Sequence, residues 1–429
     1  MPRHGDNDPR RRPPGAARAA LAAVTLAIAA AAGAAAQTEL PPSAFNERVE
    51  AERAALVELR RDLHRHPEVS GQEERTAGVV AERLRRLGFE VRTGVGGHGV
   101  IGVLRGGLPG RVVAFRADMD AVPSDAPDPV EFASLTPGVR HICGHDVHTT
   151  IGLALAEGLA AIQASVPGTV KLIFQPAEEN ATGAKAMIAA GALDDPTPEA
   201  IFAFHTAPFE VGQLVTAPGV LMSSRDRVRV VIERAPDPQA AAAALRERIQ
   251  ALSTVAPQQA VMPAAPDFIF VQLSPAGLGA GAAPSIEASI TTASREARAR
   301  ARAGVEAAVA DLRRKDTVLE LEYDERWIAG VDNDPGLVER ATAVIESVLG
   351  AGSVTTLEAV VPAFSEDFGS FQERVPGVLF FLGVSNSEKG LIGMPHSPEY
   401  AADEESIFVG ARVMAAVLLD FLSSKRSDP

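Results

Sequence analysis

Residues 170–179 read Val-Lys-Leu-Ile-Phe-Gln-Pro-Ala-Glu-Glu, an apolar run of strand length that ends in a proline and a pair of carboxylates. Other short apolar runs precede and follow it, and they alternate with stretches in which apolar residues recur at helical spacing. The strand-like runs are 89–92, 100–104, 111–116 and 200–204, and the helical stretches are 45–65, 73–87, 151–163 and 183–190. This alternation predicts an α/β domain with a central mixed, largely parallel sheet and helices on both faces.

The pattern changes between residues 225 and 327. There the predicted order is strand, helix, strand, strand, helix, strand, which is the ferredoxin-like βαββαβ arrangement. About a hundred residues is enough for such a unit. The α/β pattern resumes after residue 328, so we predict a compact domain (225–327) inserted into a discontinuous larger domain (37–224 and 328–429).

The first 36 residues have the pattern of a secretory signal peptide. Three arginines at 10–12 precede an apolar stretch at 19–32, and small residues at 34–36 suit a cleavage site. We therefore expect export to the periplasm or secretion, with no stable membrane insertion after cleavage. The alternative is a segment that is kept as an anchor.

The charge balance argues against nucleic acid as a partner. Lysine and arginine total 41 against 55 acidic residues, a formal net charge of −14. The resulting field repels phosphate backbones at neutral pH.

The only cysteine, Cys143, lies in the run His141-Ile-Cys-Gly-His-Asp-Val-His148. A sole thiol forms no intramolecular disulfide, and this one is surrounded by residue types that ligate metals. The run predicts a metal site. The alternative is a buried free cysteine beside surface histidines.

Further polar groups follow predicted strands or occupy loops. They are Asp118 and Asp120, the pair Glu178 and Glu179, His205, and His396 in a late loop. Ligands in open α/β sheets gather at the carboxyl ends of the strands, so we expect these groups to meet there. Cysteine, histidine and carboxylate together favour Zn²⁺ or Mn²⁺ over Mg²⁺ or Ca²⁺.

The pair Glu178-Glu179 suits two different tasks. Adjacent side chains of an extended segment point in opposite directions, so one carboxylate can bind metal while the other faces a substrate as general base. A solvated surface pair is the alternative.

Seven segments, taken in order, resemble the M20 metallopeptidase family, in particular its branch of N-acyl-amino-acid amidohydrolases, which includes hippurate and auxin-conjugate hydrolases. The segments are Arg60-Arg-Asp-Leu-His-Arg-His-Pro-Glu68, Arg116-Ala-Asp-Met-Asp-Ala-Val-Pro123, His141-Ile-Cys-Gly-His-Asp-Val-His148, Phe174-Gln-Pro-Ala-Glu-Glu179, His205-Thr-Ala-Pro208, Ser365-Glu-Asp-Phe368 and His396-Ser-Pro398.

The resemblance implies a catalytic domain that holds two divalent metal ions and an inserted domain that serves as a lid or in dimerisation. Cys143 would bridge the ions, with His145 and His205 on one and Glu179 and His396 on the other. The remaining implied roles are Glu178 as general base, Asp118 as a residue that orients a ligand histidine, and His141, Asp146 and His148 as lining groups. The implied reaction is hydrolysis of the amide bond of N-acyl amino acids or related small amides, by a monomer or a homodimer.

The inserted domain departs from the family pattern. It lacks the Gly-Gly-His turn, and no histidine occurs between His205 and His396. Gly281 stands where the family has an asparagine, and Ser294 where it has an arginine. Two alternatives stay open. One is a carboxypeptidase or aminopeptidase acting on short peptides, because the same metal core serves both activities. The other is a metal-containing binding protein with weak or no hydrolysis, because the histidine of the inserted domain is missing.

Overall fold

The computed structural model describes residues 40–274, 284–313 and 316–424. The predicted signal segment and Gly281 lie outside these residues. The helices are Ser43–Ala51, Arg53–Arg65, Glu74–Arg86, His145–Ala161, Gly183–Ala189, Pro238–Gln250, Arg295–Leu312, Pro335–Leu349, Gly369–Gln372 and Glu405–Ser423. Two short 3₁₀ turns lie at Gln163–Ser165 and Pro257–Gln259.

Eight strands form the main sheet, in the order β1-β2-β6-β3-β7-β16-β8-β15. Their bounds are β1 Glu90–Val95, β2 Gly99–Arg105, β3 Leu108–Asp118, β6 Pro167–Gln175, β7 Ala200–Glu210, β8 Leu214–Thr216, β15 Val354–Thr356 and β16 Gly377–Ser385. The four central strands β6, β3, β7 and β16 are parallel, whereas β1, β2 and β8 pair antiparallel with a neighbour. The prediction of a mixed, largely parallel sheet is confirmed.

Both faces of this sheet are covered, which explains why its central strands are apolar along most of their buried length. Leu172 and Phe174 of β6 pack on the side of the helices His145–Ala161 and Glu405–Ser423. Ile173 packs on the opposite side, in the cluster that includes the residues of Gly183–Ala189. Side chains alternate between the two cores because successive residues of a strand point to opposite faces.

A second sheet of four strands has the order β11-β12-β10-β13. Its strands are β10 Ser224–Arg234, β11 Ile269–Leu273, β12 Ser285–Thr292 and β13 Val318–Ile328. The helices Pro238–Gln250 and Arg295–Leu312 pack on one face and share a core with Val228, Val230 and Ile232. The chain order is therefore the ferredoxin-like one predicted for this region, and we call this unit the lid.

The remaining strands form two separate two-stranded sheets. They are β4 Val122–Pro123 with β5 Val139–Arg140, and β9 Gly219–Met222 with β14 Val331–Asn333. β9 leads directly into β10, and β14 follows β13, so the β9–β14 pair stands where the chain enters and leaves the lid.

One described helix, Glu405–Ser423, is long and apolar enough to cross a membrane by length and composition. The share of its most apolar window that is buried inside the protein is 83%. It packs on His145–Ala161 and on the central strands, so it belongs to the core of the larger domain.

Two helical glycines provide a test of this packing. A Cβ atom at Gly158 would lie 2.3–2.7 Å from ring atoms of the fully buried Phe45, whereas one at Gly78 would have no neighbour within 4 Å. We expect Gly158→Ala to lower the free energy of unfolding by about 1–3 kcal/mol through overpacking. Gly78→Ala should raise it by up to ~1 kcal/mol, since alanine is the better helix former. Chemical denaturation of both variants measures this, and a stabilised Gly158→Ala would contradict the contact.

Candidate metal centre

The predicted ligands come from four separate parts of the larger domain. His205 lies in β7, and Glu179 follows β6 after a short turn. Cys143 and His145 flank the start of the helix His145–Ala161, and the backbone N–H of His396 donates to the carbonyl of Ile142 at 2.8 Å. The site therefore forms where the parallel strands end and a helix begins.

Two groups of ligand atoms share the Cys143 sulfur. Cys143, His145 and His205 form one group, and Cys143, Glu179 and His396 form the other. Within each group the ligand atoms all lie within 4.8 Å of one another. The Sγ of Cys143 is 3.4 Å from Nε2 of His205, and Nε2 of His396 is 3.5 Å from a carboxylate oxygen of Glu179. The structure thus brings together all five predicted metal ligands.

Hydrogen bonds on the far side of two rings fix which nitrogen faces the cluster. His145 Nδ1 lies 3.2 Å from Asp120 Oδ1, and His205 Nδ1 lies 2.8 Å from the carbonyl of Thr206. Each Nδ1 therefore carries the proton and donates it. The Nε2 lone pair of both rings is left for a ligand, the usual arrangement of metal-binding histidines.

Two buried atoms at the centre lack a hydrogen-bond partner among the described residues. They are Nε2 of His145 and Oε1 of Glu179, which lie 3.7 Å apart. Buried polar atoms are rarely left unpaired, and a lone pair facing a carboxylate oxygen needs a proton or a metal cation between them. This donor set, with one thiol, three imidazoles and a carboxylate, fits a divalent transition-metal ion such as Zn²⁺ or Mn²⁺.

Burial alone would keep the thiol protonated. It raises the pKa of Cys143 well above the usual value, and the charges of Glu179 and Glu178 act in the same direction. Burial also raises the pKa of Glu179 to about 7. A bound cation reverses both effects, because it stabilises the thiolate and the carboxylate.

Glu178 lies beside this cluster and is itself buried. Its carboxylate is within 4.8 Å of those of Glu366 and Asp367, and Oε2 is 3.9 Å from His145 Nε2. Burial and then the neighbouring carboxylates, Glu366 first, raise the pKa of Glu178 well above the usual value. A carboxyl group with a raised pKa is suited to accept a proton and to return it.

Arg116 connects the acidic residues around Glu178. Its guanidinium is fully buried and donates to Gln175 at 2.8 Å, to Asp118 at 2.6 Å and to Glu366 at 2.9 Å. It also reaches Asp367 at 3.2 Å. The ends of β3 and β6 are thereby tied to the segment 366–367.

No role was predicted from the sequence for Arg116, Glu366 and Asp367. Their only signal was that they lie in segments that match the family. Nothing in the spacing indicated that residues 250 positions apart form one network.

The role predicted for Asp118 requires a correction. Asp118 accepts from Nδ1 of His148 at 2.6 Å, and Nε2 of His148 in turn accepts from the backbone N–H of Thr206 at 2.8 Å. Both nitrogens of His148 are therefore used within the protein. The carboxylate on Nδ1 of the predicted ligand His145 belongs to Asp120, which takes the orienting place assigned to Asp118. Both aspartates follow the same strand two residues apart, so sequence position alone did not distinguish them.

The other two lining candidates lie beneath the cluster. Asp146 Oδ2 is 2.8 Å from His64 Nδ1 and 2.9 Å from the buried Arg60 guanidinium, so it faces away from the predicted ligands. His141 is buried, and neither of its ring nitrogens has a hydrogen-bond partner among the described residues. Burial lowers the pKa of His141 to about 4.

Two unusual backbone conformations shape the site. Gly144 has φ 87°, and a Cβ there would lie 2.2 Å from the Tyr400 hydroxyl and 2.6 Å from Thr206 Oγ1. Glycine is therefore required for the turn between Cys143 and the helix. His396 has φ 60°, which is uncommon for a residue with a side chain and is maintained only where surrounding contacts require it.

The sequence pattern of peptidase family M20/M25/M40 matches residues 114–420, most of the described chain. The chain belongs to this family. N-acetylcysteine deacetylase from Bacillus subtilis is 31% identical over 399 residues, which cover 86% of this chain and 97% of the relative. Thermostable carboxypeptidase 2 from Saccharolobus solfataricus is 31% identical over 384 residues, covering 85% of this chain and 95% of the relative.

Among solved structures, the YxeP protein of Bacillus subtilis is described as a dinuclear metal-binding peptidase of the M20 family. It superposes with a TM-score of 0.71 at 29% identity, over 88% of this chain and all of that chain. The resemblance to the amidohydrolase branch is confirmed, and this M20 protein is a metal-dependent hydrolase of amide bonds.

The contact of Asp120 with His145 can be tested through metal affinity. Removing a carboxylate that orients a ligand histidine typically weakens metal binding about 10–100-fold, and we expect this loss for Asp120→Asn. Competition with a chromophoric Zn²⁺ chelator measures it, with Asp332→Asn, an exposed residue of β14, as the control. Unchanged affinity in Asp120→Asn would remove Asp120 from its assigned place.

Proposed function

We propose that this protein is an exported enzyme that hydrolyses the amide bond of N-acyl amino acids or related small amides, with two divalent metal ions, Mn²⁺ or Zn²⁺, and Glu178 as general base. The single observation that carries the proposal is the pair of ligand groups that share Cys143, with the buried Glu178 beside them.

Cys143 is proposed to hold both ions, His145 and His205 the first, and Glu179 and His396 the second. Bound divalent cations supply Lewis-acid chemistry, lowering the pKa of a water molecule and polarising the amide carbonyl.

Glu178 accepts a proton from that water as the water oxygen bonds to the carbonyl carbon. It then donates the proton to the amine nitrogen as the C–N bond breaks. The products are a carboxylic acid and a free amine, and Glu178 ends in its starting protonation state.

The partial exposure of two large apolar side chains is evidence for a substrate with an apolar acyl group. Phe364 and Met394 are each 38% exposed, although such residues are usually buried. Phe364 precedes Glu366 by two residues, and Met394 precedes His396 by two, so both are close to residues of the centre in the sequence. The name of the bacillary deacetylase, which refers to an N-acetyl amino acid, agrees with a small acyl group.

A peptidase activity on short peptides is the second candidate. It is favoured by the similarity to a carboxypeptidase that covers 85% of this chain. A dipeptide also presents an amide bond next to a free carboxylate, so one centre is able to act on both classes.

Glu178→Gln tests the proposal. We expect the protein loaded with Mn²⁺ or Zn²⁺ to release amino acids from a panel of N-acyl amino acids and dipeptides. Loss of a general base typically costs 10²–10⁴-fold in rate, and the variant should retain its metal. Glu388→Gln, at an exposed loop residue, is the matched control. A wild-type protein as inert as Glu178→Gln across the panel would instead support a metal-containing binding protein.

Export is proposed from residues 1–36 alone. Expression of the full chain in a Gram-negative host should yield a mature protein that begins at Gln37 in the periplasmic fraction. N-terminal sequencing of that fraction measures this. Full-length protein in the membrane fraction would favour the anchored alternative, and full-length protein in the cytosol would contradict export.

A further inference from the structure

Three arginines of β10 lie on the face of the lid sheet that carries no helices. They are Arg225, Arg227 and Arg229, which alternate with the buried Asp226, Val228 and Val230. Successive side chains of a strand point to opposite faces, and Val228 and Val230 belong to the core beneath the lid helices. The three guanidinium groups therefore share the opposite face.

Two of these three arginines have partners in the lid. Arg227 stacks over the ring of Trp327, with 4.0 Å between its Cζ atom and the ring centroid. Arg229 pairs with Glu322 at 3.2 Å and with Glu287 at 3.6 Å.

Arg225 differs from both. Its Nη2 donates to the carbonyl of Ala363 at 3.2 Å, and its buried Nε has no partner among the described residues. No carboxylate of the described chain is paired with it within 4.0 Å. A partly buried guanidinium with a single backbone acceptor is an incomplete arrangement, because buried charges are normally paired.

Arg225 lies next to residues 363–366, the segment that ends at Glu366. The backbone N–H of Ser223 donates to the carbonyl of Phe364 at 3.2 Å, so the start of β10 packs on the segment that leads to Glu366. The Glu366 carboxylate is within 4.8 Å of that of Glu178. Burial lowers the pKa of Arg225, and the charge of Glu178 is the one that opposes this effect. The guanidinium is therefore bonded to the segment that leads to Glu366 without being paired to a carboxylate of the described chain.

We propose that Arg225 binds the carboxylate of the amino-acid half of the substrate and so selects substrates with a free carboxylate. The inference rests on the proposed function and names the residue that would set its substrate class. A guanidinium matches a carboxylate through two parallel N–H donors, and Nε is one of the donors left unused here. The substrate carboxylate would supply the charged partner that Arg225 lacks within the protein. It would then lie on the lid side of the amide bond that is cleaved.

Comparing a substrate that has a free carboxylate with its C-terminal amide distinguishes carboxylate binding from other roles of Arg225. Release of acetate is measured for N-acetylmethionine and for its C-terminal amide, with the wild type, Arg225→Gln, Arg225→Lys and the control Arg227→Gln. Hydrogen bonds to a charged partner are worth about 10–100-fold in kcat/KM. We expect Arg225→Gln to lose that factor on the acid relative to the amide, and Arg225→Lys to recover part of it. An equal loss on both substrates would overturn the proposal, since a structural or oxyanion-binding role affects both.

A measurement of substrate affinity tests the role of Arg225 independently of the rate of hydrolysis. Calorimetry measures the Kd of N-acetylmethionine for metal-loaded Glu178→Gln, with and without Arg225→Gln. We expect the second substitution to weaken binding about 10–100-fold, by the same charged hydrogen bonds. Unchanged affinity would overturn the role of Arg225. Binding that depends on Arg225 without hydrolysis by the wild type would contradict the proposed function and leave Arg225 as the carboxylate site of a binding protein.

Discussion

The constraint on which the site depends is the burial of acidic groups in excess of the cations that the protein supplies. Six carboxylates lie in and around the candidate metal centre: Asp118, Asp120, Glu178, Glu179, Glu366 and Asp367. Arg116 is the fully buried guanidinium that contacts three of them. Burial and mutual repulsion raise the pKa of several of these groups, including that of Asp367 to about 8.

This imbalance links metal binding to folding. Carboxylates that repel one another in a dry interior destabilise the folded chain unless they are protonated or neutralised by cations. A divalent ion neutralises two charges at once, and any ligand that binds only the folded state stabilises it. The same excess of charge raises the pKa of Glu178, which makes its carboxylate a better proton acceptor. The acidic cluster thus serves structure and chemistry together.

Most of the main sheet was predictable because its signals are local. The run 170–174 is apolar on both faces, and its neighbours 111–116 and 200–204 follow the same rule, as strands covered on both sides do. A metal site was also predicted from cysteine, histidine and carboxylates after strand ends, whereas the assignment of five particular ligands came from the resemblance to the M20 family. The five predicted ligands lie together in the structure.

What could not be predicted depends on pairs of residues that only the tertiary fold brings together. Asp118 and Asp120 have the same spacing signal, and the choice between them depends on how the first turn of the helix His145–Ala161 meets the end of β3. The contact of Arg116 with Glu366 spans 250 residues. Arg225 looks in the sequence like any arginine of a polar strand face, because its lack of a partner is a property of packing.

The rigidity of the lid entrance explains how Arg225 stays unpaired so close to Glu178. Asp226 accepts from the Tyr323 hydroxyl at 2.9 Å and from the backbone N–H of Arg326 at 2.7 Å, and Ser224 accepts from Arg298. A Cβ at Gly330 would lie 2.6 Å from the backbone nitrogen of Ser224, so the entering and leaving segments touch backbone to backbone. The residues on both sides of Arg225 are therefore held in place.

The Arg225 guanidinium and the Glu178 carboxylate do not form an ion pair in the described chain. An ion pair of that kind lowers the pKa of a carboxyl group, and a general base with a low pKa is a poor proton acceptor. Holding the two charges apart preserves the basicity of Glu178. It also keeps the guanidinium ready for an anion that arrives between them, at no cost of rearrangement when it binds.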